Sequence, residues 1–240
     1  MIGNAFHTLI FEPLYNGLVF FVDKVPGHDV GFAVIALTIV VRIILIPLSR
    51  KAVQAQMVAK EIAPQIEEIK KKHKDNREEQ GRAIFALYRE KGIHPFAGLG
   101  LVLLQFPLLV GLYWVFSHGG LPAIDVEQLY SFVSVPSGID MNFLGFIPMD
   151  GKSIILATTA ALSQLVYTRL SMGAPSPKPT TPVEASLSED LARSFDMQAR
   201  YVLPVFIGVI SYYIAAAAPL YWTTSNLFMI AQEYVSGRRF

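Results

Sequence analysis

The chain has 240 residues, of which 52% are hydrophobic and only 16% charged, a balance too apolar for an ordinary soluble domain. A formal net charge of +1 leaves no basic surplus for direct, sequence-specific nucleic-acid binding, so whatever the charges do follows from where they sit. The absence of cysteine removes disulfides, thiolate metal sites, catalytic thiols and a lipid-anchored cysteine.

Residues 1–30 read as an N-terminal segment on the outer side of a membrane. The first basic residue is Lys24, and Glu12 and Pro13 interrupt the early apolar run, which is not the pattern of a cleaved signal. Pro13 to Val22 is aromatic and amphipathic, so it is either a helix lying along the membrane surface or an extension of the first span. Five segments then suit a hydrocarbon layer of ~30 Å, which takes ~20 mostly apolar helical residues. They are residues 31–49, 95–116, 152–170, 200–217 and 219–236. A tight turn at Pro219, a residue suited to the first turn of a helix, is expected to join the last two into a hairpin.

The loops carry the orientation. Residues 50–94 hold Arg50, Lys51, Lys60, Lys70, Lys71, Lys72, Lys74, Arg77, Arg82, Arg89 and Lys91, whereas residues 117–151 hold no Lys or Arg. Short cytoplasmic loops collect basic residues, so the N-terminus is expected outside and the C-terminus inside. Arg169, Lys178, Arg193 and Arg200 in and beside the segment 171–199, and Arg238 and Arg239 in the tail 237–240, agree with that sidedness. Within the basic loop, Val53, Met57, Ile62, Ile66 and Ile69 recur at roughly helical spacing, as do Ile84, Leu87 and Tyr88 beyond the Lys74-Asp75-Asn76 turn. Two antiparallel helices protruding into the cytoplasm are the simplest arrangement. Pro175, Pro177, Pro179 and Pro182 make the segment from Ala174 to Pro182 a poor candidate for regular structure.

Arg42 asks for a function. It lies eight residues before Arg50, which in a helix is ~12 Å below the cytoplasmic interface. A charge at that depth costs at least ~2.5 kcal/mol, and it therefore needs a partner, water or a path to the surface. The only acidic residue in the five segments is Glu233, near the end of the last, so a water-filled recess open to the cytoplasm is expected around Arg42. Polar stripes point the same way: Thr38 and Ser49 beside Arg42, Gln105 in the second segment, Ser153, Gln164 and Thr168 in the third, and Trp222, Ser225 and Asn226 in the fifth. Taken singly, such residues often only bond neighbouring helices.

These residues also form a known pattern. Thr38 to Ser49 (TIVVRIILIPLS) resembles the arginine-bearing first core helix of the YidC/Oxa/Alb membrane insertases. The loop with Gln54, Met57, Pro64 and Leu87-Tyr88 resembles their cytoplasmic hairpin, and His94 to Trp114, with Gln105 and Pro107, resembles their second helix. Tyr221 to Gln232 resembles their final helix. The chain departs from the pattern at His94-Pro95 and Leu99-Gly100-Leu101, where members often have Asn-Pro and Cys-Leu-Pro. It is expected to be a minimal core, without the periplasmic domain of some bacterial members or the basic ribosome-binding tail of some relatives.

The resemblance implies an all-α integral membrane protein of five transmembrane helices and a cytoplasmic two-helix hairpin, N-out and C-in, in the bacterial inner membrane. It implies a hydrophilic groove, open to cytoplasm and lipid, that draws in the polar tails of nascent membrane proteins while their hydrophobic helices pass into the bilayer. Arg42, Thr38, Gln105, Gln164, Trp222 and Asn226 would line it, with the Sec translocon and the ribosome as candidate partners and with no cofactor or metal. A transporter would instead need polar residues along a complete path, and the outer halves of the segments offer few beyond Thr158, Thr159 and Gln105. An intramembrane enzyme would need acid–base or metal-binding groups at depth, yet all five histidines fall at segment edges or in loops. A purely structural scaffold leaves the expense of Arg42 unexplained.

Overall fold

The computed structural model describes residues 5–74, 76–92, 100–117, 121–172 and 197–235. The Pro-rich segment, the entry at His94-Pro95 and the basic tail lie outside the described residues. The chain is mostly helical and divides into two units, one formed by residues 1–42 and 109–240, the other by residues 43–108.

In the first unit, a π-helical turn His7–Phe11 runs into helix α1, Glu12–Lys24. Leu14, Tyr15, Leu18, Val19 and Val22 make one buried face at spacings of three and four, so α1 is an element of its own with an apolar stripe. Val25 leaves the helix in extended conformation, and Gly27 takes φ +69°, a left-handed backbone that glycine adopts without strain. The chain thereby turns before helix α2, Val30–Ile44. Asp29 starts that helix. Its Oδ1 accepts from the amides of Gly31 (2.7 Å) and Phe32 (3.3 Å), while Oδ2 accepts from Leu144 at 3.0 Å. One buried carboxylate therefore caps α2 and ties down the small antiparallel pair β1 (Asn142–Phe143) and β2 (Ile147–Pro148).

The segment 121–151 is likewise held to α1 by buried polar groups. Asn16 Nδ2 donates to the carbonyls of Glu12 and Gln128, both at 2.9 Å, and its Oδ1 accepts from Tyr130 N at 2.6 Å. Tyr15 Oη accepts from Asp125 N at 2.8 Å, and burial raises the phenol's pKa above its ordinary value. Every polar atom of the Asn16 amide thus has a partner, which is what its near-complete burial demands.

Helix α7, Ile154–Met172, is the element against which the two last helices pack. A π-turn Gln198–Val202 leads into α8, Leu203–Tyr213, and α9 is Ala217–Val235. The expected hairpin of the last two helices takes a different form: both lie chiefly on α7, and the break between them falls at 214–216. Amides of Ala216 and Ala217 bond the carbonyls of Gly151 (2.8 Å) and Met149 (3.0 Å), which holds that connection open. Pro219 sits in the first turn of α9, where its missing N–H leaves no helical bond unmade.

The second unit contains α3 (Ile46–Glu61), α4 (Ala63–Lys72) and α5 (Arg77–Glu90). The run 31–49, continuous in hydropathy, is two helices. Pro47 has no N–H to offer the carbonyl of Ile43 and its ring collides with that group, so the helix breaks at Leu45 and resumes, with Ser49 N bonding Leu45 O at 2.8 Å. Pro64 begins α4 in the same way after Ile62. Helices α4 and α5 pack together across the polar turn, where Asn76 Oδ1 accepts from the amides of Glu78 and Glu79, both at 3.2 Å. Gln80 Nε2 donates to Lys70 O at 3.2 Å, crossing from one helix to the other.

Helix α6, Gly100–Ser117, runs from the second unit into the first and carries Pro107 in its interior. Among the described residues no single helix is long and apolar enough to cross a membrane, and one broken pair, Val30–Ile44 with Ile46–Ala55, passes by length and composition together. Large apolar side chains are nevertheless well exposed along the helices of the first unit, among them Ile154, Leu162, Val205, Phe206, Val209 and Leu227.

Candidate functional site: a buried arginine beside a polar ladder

Arg42 lies in the last turn of α2 and is 6% exposed. Its Nε donates to Ser225 Oγ of α9 at 2.7 Å, and Nη2 donates to the same oxygen. Tyr167 of α7 and Tyr221 of α9 are near enough to couple electrostatically with the guanidinium. Three helices distant in sequence therefore bring hydroxyl-bearing side chains toward one cation. Ser225 is fully buried.

A ladder of polar side chains crosses between α7 and α9 next to this point. Thr159 Oγ1 and Thr223 Oγ1 lie 3.3 Å apart, Asn226 Nδ2 donates to Ser163 Oγ at 3.2 Å, and Trp222 Nε1 donates to Gln164 Oε1 at 3.1 Å. Gln164 Nε2 continues to Thr168 Oγ1 at 3.1 Å. The spacing explains the arrangement. Gln164 and Thr168, like Trp222 and Asn226, are four apart on their helices, so each pair shares a face and the two faces meet.

Four of the six residues singled out from sequence, Arg42, Gln164, Trp222 and Asn226, thus lie on the faces where α2, α7 and α9 meet. Thr38 does not join the ladder: its Oγ1 donates to Val34 O one turn back at 2.6 Å, so its hydroxyl is satisfied within α2. Gln105 is in α6, and its side chain lies outside the described part. Sequence reasoning passed over Ser163 and Tyr221, and it placed Ser225 on the polar stripe without making it the partner of Arg42. The signal was available in part, because Tyr221 and Ser225 are four apart and one position behind Trp222 and Asn226 on α9. Among the described residues no group of three or more His, Asp or Glu side chains could hold a metal ion.

Comparison with known proteins places the chain in a family. Relatives named membrane protein insertase YidC are 24% identical over 233 residues in Methylobacillus flagellatus and 26% identical over 204 residues in Neisseria gonorrhoeae. The matches cover 96% and 85% of this chain, but the chain spans only 36% and 32% of the length of those two relatives. The relative of the same name from Oceanobacillus iheyensis is 27% identical over 234 residues, covering 95% of this chain and 82% of that protein. The profile of the family described as 60Kd inner membrane protein matches residues 21–240, from α1 through Arg42 to the end of the chain. The chain belongs to the 60Kd inner membrane protein family.

Proposed function

We propose that this protein is a membrane protein insertase of the bacterial inner membrane, a multi-pass protein with its N-terminus outside and its C-terminus in the cytoplasm. The observation that carries the proposal is Arg42, a buried cation whose observed hydrogen-bond partner on α9 is a serine hydroxyl. A hydroxyl is a weaker partner for a guanidinium than a carboxylate, which binds it through shorter, charge-assisted and frequently bidentate hydrogen bonds. The Arg42–Ser225 contact is the resting state, and an acidic or polar tail of a nascent membrane protein replaces Ser225 on entry.

The ladder of Ser163, Gln164, Trp222 and Asn226 then gives the tail further donors and acceptors, so the backbone of the incoming segment is not stripped of all hydrogen bonding on its way through. The exposed apolar side chains of α7 and α9 outside the α7–α8 groove, Leu162, Val166 and Leu227 among them, supply a surface along which the hydrophobic segment of the substrate moves into lipid. Burial of that segment provides the driving force, and no nucleotide or cofactor is required. Exposed apolar surface of this extent on a helical protein is itself suited to contact with hydrocarbon. The charged hairpin of α4 and α5, with Lys70, Lys71 and Lys72 in one helical turn, is the receiving surface for the ribosome or the Sec translocon.

Site-specific photo-crosslinking tests the proposal. A photoreactive residue at Asn226 or at Gln164 is expected to form adducts with a ribosome-bound nascent membrane protein, at chain lengths that have just exposed its first hydrophobic segment. Equal yields with a soluble nascent protein, or none with any nascent chain, would refute it.

A further inference from the structure

Away from the Arg42 site, α7 and α8 enclose an open groove of about 420 Å³. Its floor is made of small residues, Ala157, Ala161 and Gly208, and its walls of Ile154, Val205 and Val209. A Cβ on Gly208 would stand 2.9 Å from the Cβ of Ala161, so the glycine is what lets α8 approach α7 this closely. Thr158, the one hydroxyl residue of α7 in the lining, donates to Ile154 O at 2.7 Å and keeps its oxygen occupied. The interior is therefore apolar in effect. One end is different: Tyr212 and Tyr213 line it, and the ammonium of Lys152 stands 5.9 Å and 5.4 Å from their ring centroids. Cation–π attraction keeps the charge at that mouth, and among the described residues Lys152 has no ion pair.

From this juxtaposition of an apolar trough and a cation at one end, we propose that the groove binds an anionic phospholipid of the surrounding bilayer, one acyl chain along α7 and α8 and the headgroup phosphate on Lys152. From Ile154 to Ala161 the trough runs ~10 Å along the helix. An apolar trough between two helices with a cation at one end matches an amphiphile that has an apolar chain and an anionic head. Lys152 and Tyr213 are exposed, so the phosphate reaches the ammonium without displacing protein groups. The inference rests on the bilayer placement proposed above and not on insertion activity.

The test uses the full chain in vesicles containing phosphatidylglycerol or phosphatidylcholine with a photoreactive diazirine in one acyl chain, and adducts mapped by peptide mass spectrometry. Adducts concentrated at 157–161 and 205–209, with a preference of about fivefold for phosphatidylglycerol, are expected, since one Lys near a membrane surface has an effect of that order. Lys152→Gln, at an exposed position, should abolish the preference while leaving adducts in the groove. Thr158→Phe, which fills the trough from its open side, should remove the groove adducts and leave those at Leu162 and Val166. Adducts spread evenly over exposed apolar residues, unchanged by both substitutions, overturn the inference but leave the bilayer placement standing. A nascent chain that crosslinks to the groove and displaces the lipid also overturns it, and absence of lipid adducts on any helix overturns the bilayer placement with it.

Discussion

Arg42 combines burial, a positive charge and a hydroxyl partner, and these make separable demands on any substitution. If the charge attracts acidic or polar tails in a medium of lower dielectric than water, sign matters more than shape. Arg42→Lys is expected to keep most insertion, whereas Arg42→Ala and Arg42→Glu lose it, with the greatest loss for substrates with acidic N-terminal tails. Neutralising those tails should weaken the dependence on position 42. Insertion of a reporter into inverted vesicles measures all of this. Were the arginine only a buried group tolerated by the fold, Arg42→Ala would instead insert at the wild-type rate and even gain stability, because removing a buried charge with its poorly compensated desolvation often stabilises. The position was visible in the sequence as a lone charge in an apolar run. Its partner was not, since Ser225 lies 183 residues away and serine in an apolar helix is commonplace.

Among the elements, α2 shows how a small residue sets a contact that hydropathy does not reveal. A Cβ on Gly31 would fall 2.2 Å from Cδ2 and 2.4 Å from Cγ of Phe143, inside any permitted contact. Phe143 cannot easily give way: β1 and β2 are paired there, Asp29 holds Leu144, and the ring of Phe32 packs on it edge to face at 5.3 Å. Alanine in a helix is worth up to ~1 kcal/mol over glycine. Overpacking a fixed neighbour costs ~1–3 kcal/mol, so the clash outweighs the propensity. Gly31→Ala is expected to lower the thermal unfolding midpoint of the detergent-solubilised protein, and Phe143→Leu in the same chain to recover part of that loss. An unfolding midpoint at or above wild type for Gly31→Ala would show that the turn at 144–146 yields. Pro47 and Pro64 stand at the breaks before α3 and α4, yet the hydropathy of 31–49 and the helical period from Val53 to Ile69 run straight through them; the Gly31 contact was hidden for another reason, because nothing local distinguishes Gly31 from any other helical glycine.

At the scale of the whole molecule, residues 43–108 form a unit with its own helix packing, while the residues around Arg42 belong to the other. Replacing residues 60–91 with a short linker is therefore expected to leave a protein that reconstitutes and unfolds cooperatively but no longer inserts substrate. A deletion with full insertion activity would reduce the charged hairpin to a signal for orientation. Composition argued against an ordinary soluble domain, the Lys and Arg distribution set an expected sidedness, and a helical period on either side of a polar turn announced a helical hairpin. Those features are local or additive, and a window of sequence contains all the physics that decides them. Which polar residues meet is another matter, since Gln164 finds Trp222 and Arg42 finds Ser225 only after α7 and α9 have packed and α2 has come within reach. Thr38 makes the point from the other side: it shares a helix face with Arg42, yet its hydroxyl returns to its own backbone. Hydrogen bonding is short-ranged and directional, so the sequence determines which side chains carry donors and acceptors, and the tertiary structure alone decides which of them become partners.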